Sequence, residues 1–238
     1  MINTKRIPWM RIITEGCVIV VSILLAFAID AWWNERIERE QEREHLLAMR
    51  SEFQSSIEGL NGVYSSIQQH AKTIEELIIE LKSVEHGQSI LVSAERMGSV
   101  NVWRTTDVST STLTALMSSG NLNQLSNPAL RSALAGFPAV LLDMTEDEIV
   151  SQRFAEQVMS TYLVKAGLAE IVYANRGGNE ALKEILTTAP SEIAVIHTPE
   201  LINLLTVRRL HLFFSELSIP EVTDYLTNLI SMIDDELD

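Results

Sequence analysis

From Gly16 to Ile29 no side chain carries a charge, and Val, Ile, Leu, Phe and Ala dominate. A helix apolar on every face must be surrounded by lipid or by the rest of a protein. At 1.5 Å per residue this run measures about 21 Å, short of the ~30 Å hydrocarbon layer, so its flanks have to complete a span. Trp9 on one side and Trp32 with Trp33 on the other lie about 36 Å apart along a helix, which suits rings at both headgroup interfaces. The segment is therefore read as a transmembrane helix over residues 12–33. Glu15 and Asp30 then sit near its two boundaries rather than at the bilayer midplane.

A basic start, an apolar run and Ala26-Phe27-Ala28 also fit a secretory signal cleaved after a small-x-small site, which would leave a periplasmic protein. Glu15 at the head of the run, and helix-compatible sequence running on past Trp33, favour an uncleaved anchor. Lys5, Arg6 and Arg11 precede the span; Arg36, Arg39 and Arg43 follow it, interleaved with Glu35, Glu38, Glu40, Glu42 and Glu44. A short basic leader before a first span usually stays in the cytoplasm. The expectation is a single-pass protein of the bacterial inner membrane, with residues 1–11 cytoplasmic and the remainder periplasmic. The lipid bilayer is its first partner.

On a helical wheel, Glu15, Ser22, Ala26, Asp30 and Trp33 fall within about 80° of one another. Small and polar side chains on one stripe of a span let a second helix approach and bond, so this stripe is a candidate helix–helix interface.

The chain has 238 residues and a formal charge of −14. Beyond the anchor 15 basic and 30 acidic residues remain, so the extramembrane part repels phosphate backbones and nucleic acid is excluded as a partner. The single cysteine, Cys17, lies in the span, so neither an internal disulfide nor a cysteine metal site can form.

Residues 34–52 read as a charged helical stalk with Glu35/Arg39 and Arg36/Glu40 pairs. Residues 53–238 read as the bundle domain. In it, Phe53, Ile57, Leu60, Tyr64, Ile67, Ala71, Ile74, Ile78 and Leu81 recur at alternating steps of four and three, the seam of a coiled coil or helical bundle. Gly59 and Gly62 weaken this helix by about 1 kcal/mol each, so packing must hold it, and His86-Gly87 offers its stop. Residues 87–112 read as a loop with a short helix near Ser93 to Met97. A second helix spans Ser109 to Ser119 and stops at Gly120-Asn121; a third starts at Asn127-Pro128 and passes a kink at Pro138 to a break at Gly177-Gly178. A short helix at 179–187 and a final one opening at Thr198-Pro199, bent at Pro220, complete an all-α, up-and-down bundle.

Two segments carry a resemblance. Glu15-Gly16, the Val/Ile run, Ile23-Leu24-Leu25-Ala26, Ile29 and Trp33-Asn34-Glu35-Arg36 form the first; Ser119-Gly120-Asn121-Leu122, Asn127, Leu130-Arg131 and Leu134 form the second. Together they resemble the N-terminal signature and the internal motif of a family of bacterial single-span membrane proteins with no assigned activity. This chain departs from it at Trp32-Trp33, where those proteins often carry Asn-Trp. The resemblance implies one span and a helical domain, and brings no catalytic residue.

Catalytic patterns are missing. The sequence has no H-E-x-x-H, no G-x-S-x-G and no phosphate-cradling glycine loop. Ser119-Gly120-Asn121-Leu122 shares only letters with a hydrolase superfamily whose four blocks are separated on an α/β fold. His45, His70, His86, His197 and His211 lack ligand spacing, and His70 falls beside the seam as a flank residue. Glu146-Asp147-Glu148 and Asp234-Asp235-Glu236 could hold a cation but read as solvated helix starts or an exposed terminus. No catalytic residue, cofactor or metal is expected, and no enzyme. The leading expectation is an accessory or scaffold protein that binds another membrane protein or its own copies. A sensor-like ligand-binding module acting through a partner is the alternative, and a proton-driven motor subunit a minor option, since Asp30 lies too near the end of the span. Trp103 and Arg104, in the Ser/Thr-rich loop, are the candidate contact residues.

Overall fold

The computed structural model describes residues 9–174 and 190–238; the expected break at Gly177-Gly178 and the short helix at 179–187 lie outside them. The side chains of Trp9 and Arg11 are likewise outside the description, as are Lys5 and Arg6.

The first element, α1 (Trp9–Lys82), is one unbroken helix of 74 residues. Its N-terminal part is long and apolar enough to cross a membrane, with a mean hydropathy of 1.9 and no burial against the rest of the protein. The bundle takes over earlier than the sequence boundary at 53: Leu46 and Met49 are already buried, and Arg43 Nη1 donates to the Leu237 carbonyl at 3.3 Å. The charged stalk is thus shorter than residues 34–52. All nine seam positions are core residues or pack against the core, joined by Leu77. The helix stops at Lys82, four residues before His86-Gly87, although Gly87 turns the chain with φ 86°.

Residues 87–112 are not simply a loop. They hold β1 (Ser89–Ser93), which pairs antiparallel with β2 (Glu192–Ile196) from Ser89↔Ile196 to Ser93↔Glu192. Next comes α2 (Ala94–Ser99), where the Ser93 hydroxyl caps by accepting from Arg96 N at 3.2 Å. An extended connector over 101–110 then descends alongside α1, held where Ser109 N donates to the Ser56 hydroxyl at 3.1 Å. The helix α3 (Ser111–Ser119) follows, two residues shorter than expected, and ends at Gly120 with φ 77°.

Asn127 accepts from Ala129 N and Leu130 N and so starts α4 (Pro128–Arg153), with Pro138 accommodated inside it. The helix does not run on regularly. Residues Phe154–Met159 widen into a π-helical turn, α5 (Ser160–Lys165) resumes, and Gly167 at φ 70° breaks the chain before α6 (Ala169–Ala174). The last element, α7 (Pro199–Leu237), is capped by Thr198 and stays continuous through Pro220.

Among the described residues the architecture is all-α with one two-stranded ribbon. Helix α7 runs antiparallel to α1, as Arg50 to Asp234 at one end and Arg209 to Glu75 further along require, and antiparallel to α4 through Tyr225 Oη to Ala133 O at 2.7 Å. Helices α1 and α4 are consequently parallel. The up-and-down expectation is modified in its second leg, where the connector and the short α3 replace a full-length descending helix.

Candidate functional site

At the end of the bundle far from the span, a cleft of about 650 Å³ opens between α1, α2 and the connector. Helix α1 contributes Gln69 and His70, α2 contributes Arg96, and the connector contributes Val102, Trp103 and Arg104. The cleft forms because the chain leaves α1 at Lys82, turns through the ribbon, and comes back down as extended backbone rather than as a helix that would fill the space. Trp103 and Arg104, the contact residues expected from the sequence, therefore line its wall.

The cations around this cleft differ in how they are balanced. Arg96 is tied to Glu80 at 2.7 Å and lies 3.8 Å from Glu76. Arg104 is exposed and makes no hydrogen bond or ion pair with any described residue. Behind the wall lies Arg208 of α7, fully buried. It donates to Val102 O at 2.6 Å, to Ser151 Oγ at 2.7 Å and to Ser151 O at 3.4 Å, all neutral acceptors, and its Nε has no partner. Burial pushes its pKa down to about 10, so it remains charged at neutral pH. The arginine clamps α7 to the connector and to the last turn of α4, and no carboxylate among the described residues balances it.

His70 is half-buried; desolvation first, then the charges of Arg104 and Arg208, hold its pKa below the usual value. His211 on α7 meets the Phe154 ring edge-on at 4.9 Å and is lowered likewise by burial and by Arg208. Arg104 and Arg208 thus stand without a carboxylate partner among the described residues, in a chain whose formal charge is −14.

The other sequence candidates are distributed elsewhere. In the apolar stretch of α1, Glu15, Ser22, Ala26, Asp30 and Trp33 are all exposed; Ser22 Oγ donates to Val18 O at 2.8 Å, and Asn34 Nδ2 to Asp30 at 3.4 Å. Glu146-Asp147-Glu148 lie in the middle of α4 rather than at a helix start. Two of those acids have structural work: Glu148 accepts from Thr106 N at 2.9 Å and Asp147 bonds Ser218, while burial raises both carboxyls. Asp234 and Glu236 fasten α7 to Arg50 and Asn127, at 2.5 and 2.7 Å. Among the described residues, no three His, Cys, Asp or Glu side chains converge as metal ligands do. The Ser119 to Leu134 motif builds the corner of the bundle nearest the apolar stretch of α1, where Ser126 N donates to Glu42 at 2.6 Å and Arg131 Nη1 holds Asn123 O at 2.9 Å.

A second surface was not among the sites expected from the sequence, where Phe213 and Leu217 counted only as apolar residues of the final helix. On the outer side of α7, Val207, Leu210, Phe213, Phe214 and Leu217 are between 39% and 56% exposed, with the two phenyl rings 6.0 Å apart. They face away from the buried stripe of Leu205, Arg208, Leu212 and Ser215. Large apolar side chains grouped on a soluble surface mark contact sites.

Compared with known proteins, the chain matches no family, no curated sequence and no solved structure.

Proposed function

We propose that the protein is a non-catalytic, membrane-anchored assembly module of the bacterial inner membrane. Its N-terminus is cytoplasmic and its bundle periplasmic, and its copies associate side by side through the outer face of α7. The observation that carries this reading is the group of five exposed apolar residues from Val207 to Leu217. It lies opposite the Glu75 region of α1, some 60 Å along the helix from Trp33, too far out to be covered by the bilayer. Anchoring by a single span leaves two copies free to rotate about the membrane normal but keeps equal heights level. Any face of one copy therefore meets the same face of another, the condition for an isologous pair. The small-residue stripe of the span would close the same pair inside the lipid.

The test is the native mass of the full chain after mild detergent extraction, for the wild type and for Phe214→Glu. The expected result is a wild-type dimer and a monomeric variant that keeps the wild-type helical circular dichroism, because Phe214 is exposed. A monomeric wild type, or one bound to a different membrane protein and to no copy of itself, rejects self-association.

A second reading, the capture of a small ligand, is favoured by one specific observation: the unbalanced charge of Arg208 and Arg104 around the distal cleft.

A further inference from the structure

We infer that the cleft between α1, α2 and the connector binds a small soluble oxyanion, a carboxylate or a phosphate, through Arg104 and His70, with Arg208 behind them. Three observations converge on it. Arg208 is completely buried, bonds only neutral oxygens and keeps an unpartnered Nε, so the chain encloses a cation without its counter-charge. Buried charges are ordinarily paired, and an absent counter-charge points to a ligand that brings one. Its acceptor Val102 O belongs to a residue of the cleft wall, and its charge acts on His70, so Arg208 stands directly behind the space that Arg104 and His70 line.

Second, three carboxylates around the cleft are committed elsewhere. Glu80 and Glu76 face Arg96, and Glu148 holds Thr106. Glu95 also lines the cleft, but neither Arg104 nor His70 bonds it. Arg104, exposed in the cleft lining, offers a guanidinium that no described carboxylate engages, the planar group that recognises a carboxylate or phosphate with two parallel bonds. Third, Trp103 supplies a flat apolar wall beside that fork, which accommodates the carbon skeleton of an organic anion.

A bilayer headgroup does not fit the same chemistry. Ser66 and Thr73, which line the cleft, stand roughly 50 to 60 Å along α1 from Trp33. The ligand must come from solution.

The experiment measures the melting temperature of the full chain in lipid nanodiscs against rising citrate and, separately, inorganic phosphate, with chloride at matched ionic strength as reference. A ligand that binds only the folded state raises the melting temperature with its concentration. The expected result is a rise above the chloride reference with at least one of the two anions. Arg104→Gln and His70→Gln should weaken the apparent affinity, by about tenfold or more for Arg104→Gln, while Lys82→Gln leaves it unchanged. A response to citrate alone assigns a carboxylate ligand and a response to phosphate a phosphorylated one. No rise over chloride with either anion, or an equal rise in Arg104→Gln, overturns the proposal. Arg104 is exposed, so its replacement does not compromise the fold.

Discussion

Arg208 is the residue whose environment departs furthest from expectation, and its consequences can be measured. Replacement by Met keeps most of the volume but leaves Val102 O and the Ser151 hydroxyl without their donor. Two buried acceptors lose their partner, so chemical denaturation of Arg208→Met should show a loss of roughly 2–4 kcal/mol. A neutral substitution would mean that those oxygens are satisfied without the arginine. The two histidines near it give a pH signature. Because His70 and His211 titrate below 6.5 in the folded protein, the unfolded chain binds protons first as the pH falls. Their contribution is complete above about pH 6.5 and is lost on acidification through that value toward their lower folded pKa values. Asp147 and Glu148 are raised instead, so they act oppositely, in the acidic window above their ordinary values of 3.8 and 4.5. The melting temperature should fall between pH 7 and pH 6, and the double variant His70→Gln/His211→Gln should flatten that fall; a wild-type curve flat over this interval would count against the assignment. The sequence offered one sign of Arg208: it stands on the Leu201, Leu205, Leu212 stripe, three positions from Leu205 and four from Leu212. Beside Arg209 it reads as one of two solvated cations, and only the packed neighbours separate them.

Among the elements, the glycines test how α1 is held together. A Cβ at Gly59 or Gly62 would meet nothing within 4 Å, so Gly→Ala at either position should stabilise the protein by about 0.5–1 kcal/mol through helix propensity alone. Gly136 on α4 behaves in the opposite way. A Cβ there would come within 3.0 Å of Tyr225 Oη, the group that holds Ala133 O and whose ring stacks on Phe137. Gly136→Ala should therefore cost about 1–2 kcal/mol, read by the same denaturation experiment. The seam of α1 was legible because every apolar step from Phe53 to Leu81 keeps one period, and the starts of α4 and α7 were legible because Asn127-Pro128 and Thr198-Pro199 specify caps chemically. The ribbon was not. Ile90-Leu91-Val92 and Ile193-Ala194-Val195 are too short to show alternation, and their pairing joins segments about a hundred positions apart in sequence. The π-turn at Phe154–Met159 leaves no local signature, since its apolar residues fit an ordinary helix equally well. Trp103 and Arg104 stood out by composition, but the cleft that joins them to His70 depends on the extended connector, which periodicity does not encode.

For the whole molecule, the long helix α1 makes its apolar N-terminal stretch and the bundle one mechanical piece: the helix continues without a break from that stretch into the wall of the distal cleft. Association through α7 has to overcome repulsion between copies that each carry −14 formal charges. Screening is appreciable at physiological salt, where the Debye length is about 8 Å, so the dimer fraction should rise as sodium chloride is increased from low concentration to that level. A fraction that falls with salt would identify the contact as ionic rather than apolar. The most direct measurement of the assembly claim is cross-linking in the native membrane, with Leu210→Cys placed in a Cys17→Ser background and treated with a short bifunctional maleimide. Leu210 lies within the exposed α7 face, and Ile79→Cys, exposed on α1, serves as the control position. A covalent dimer of this chain is expected at Leu210 and little at Ile79; monomer alone at Leu210, or equal dimer at both positions, would contradict association through α7.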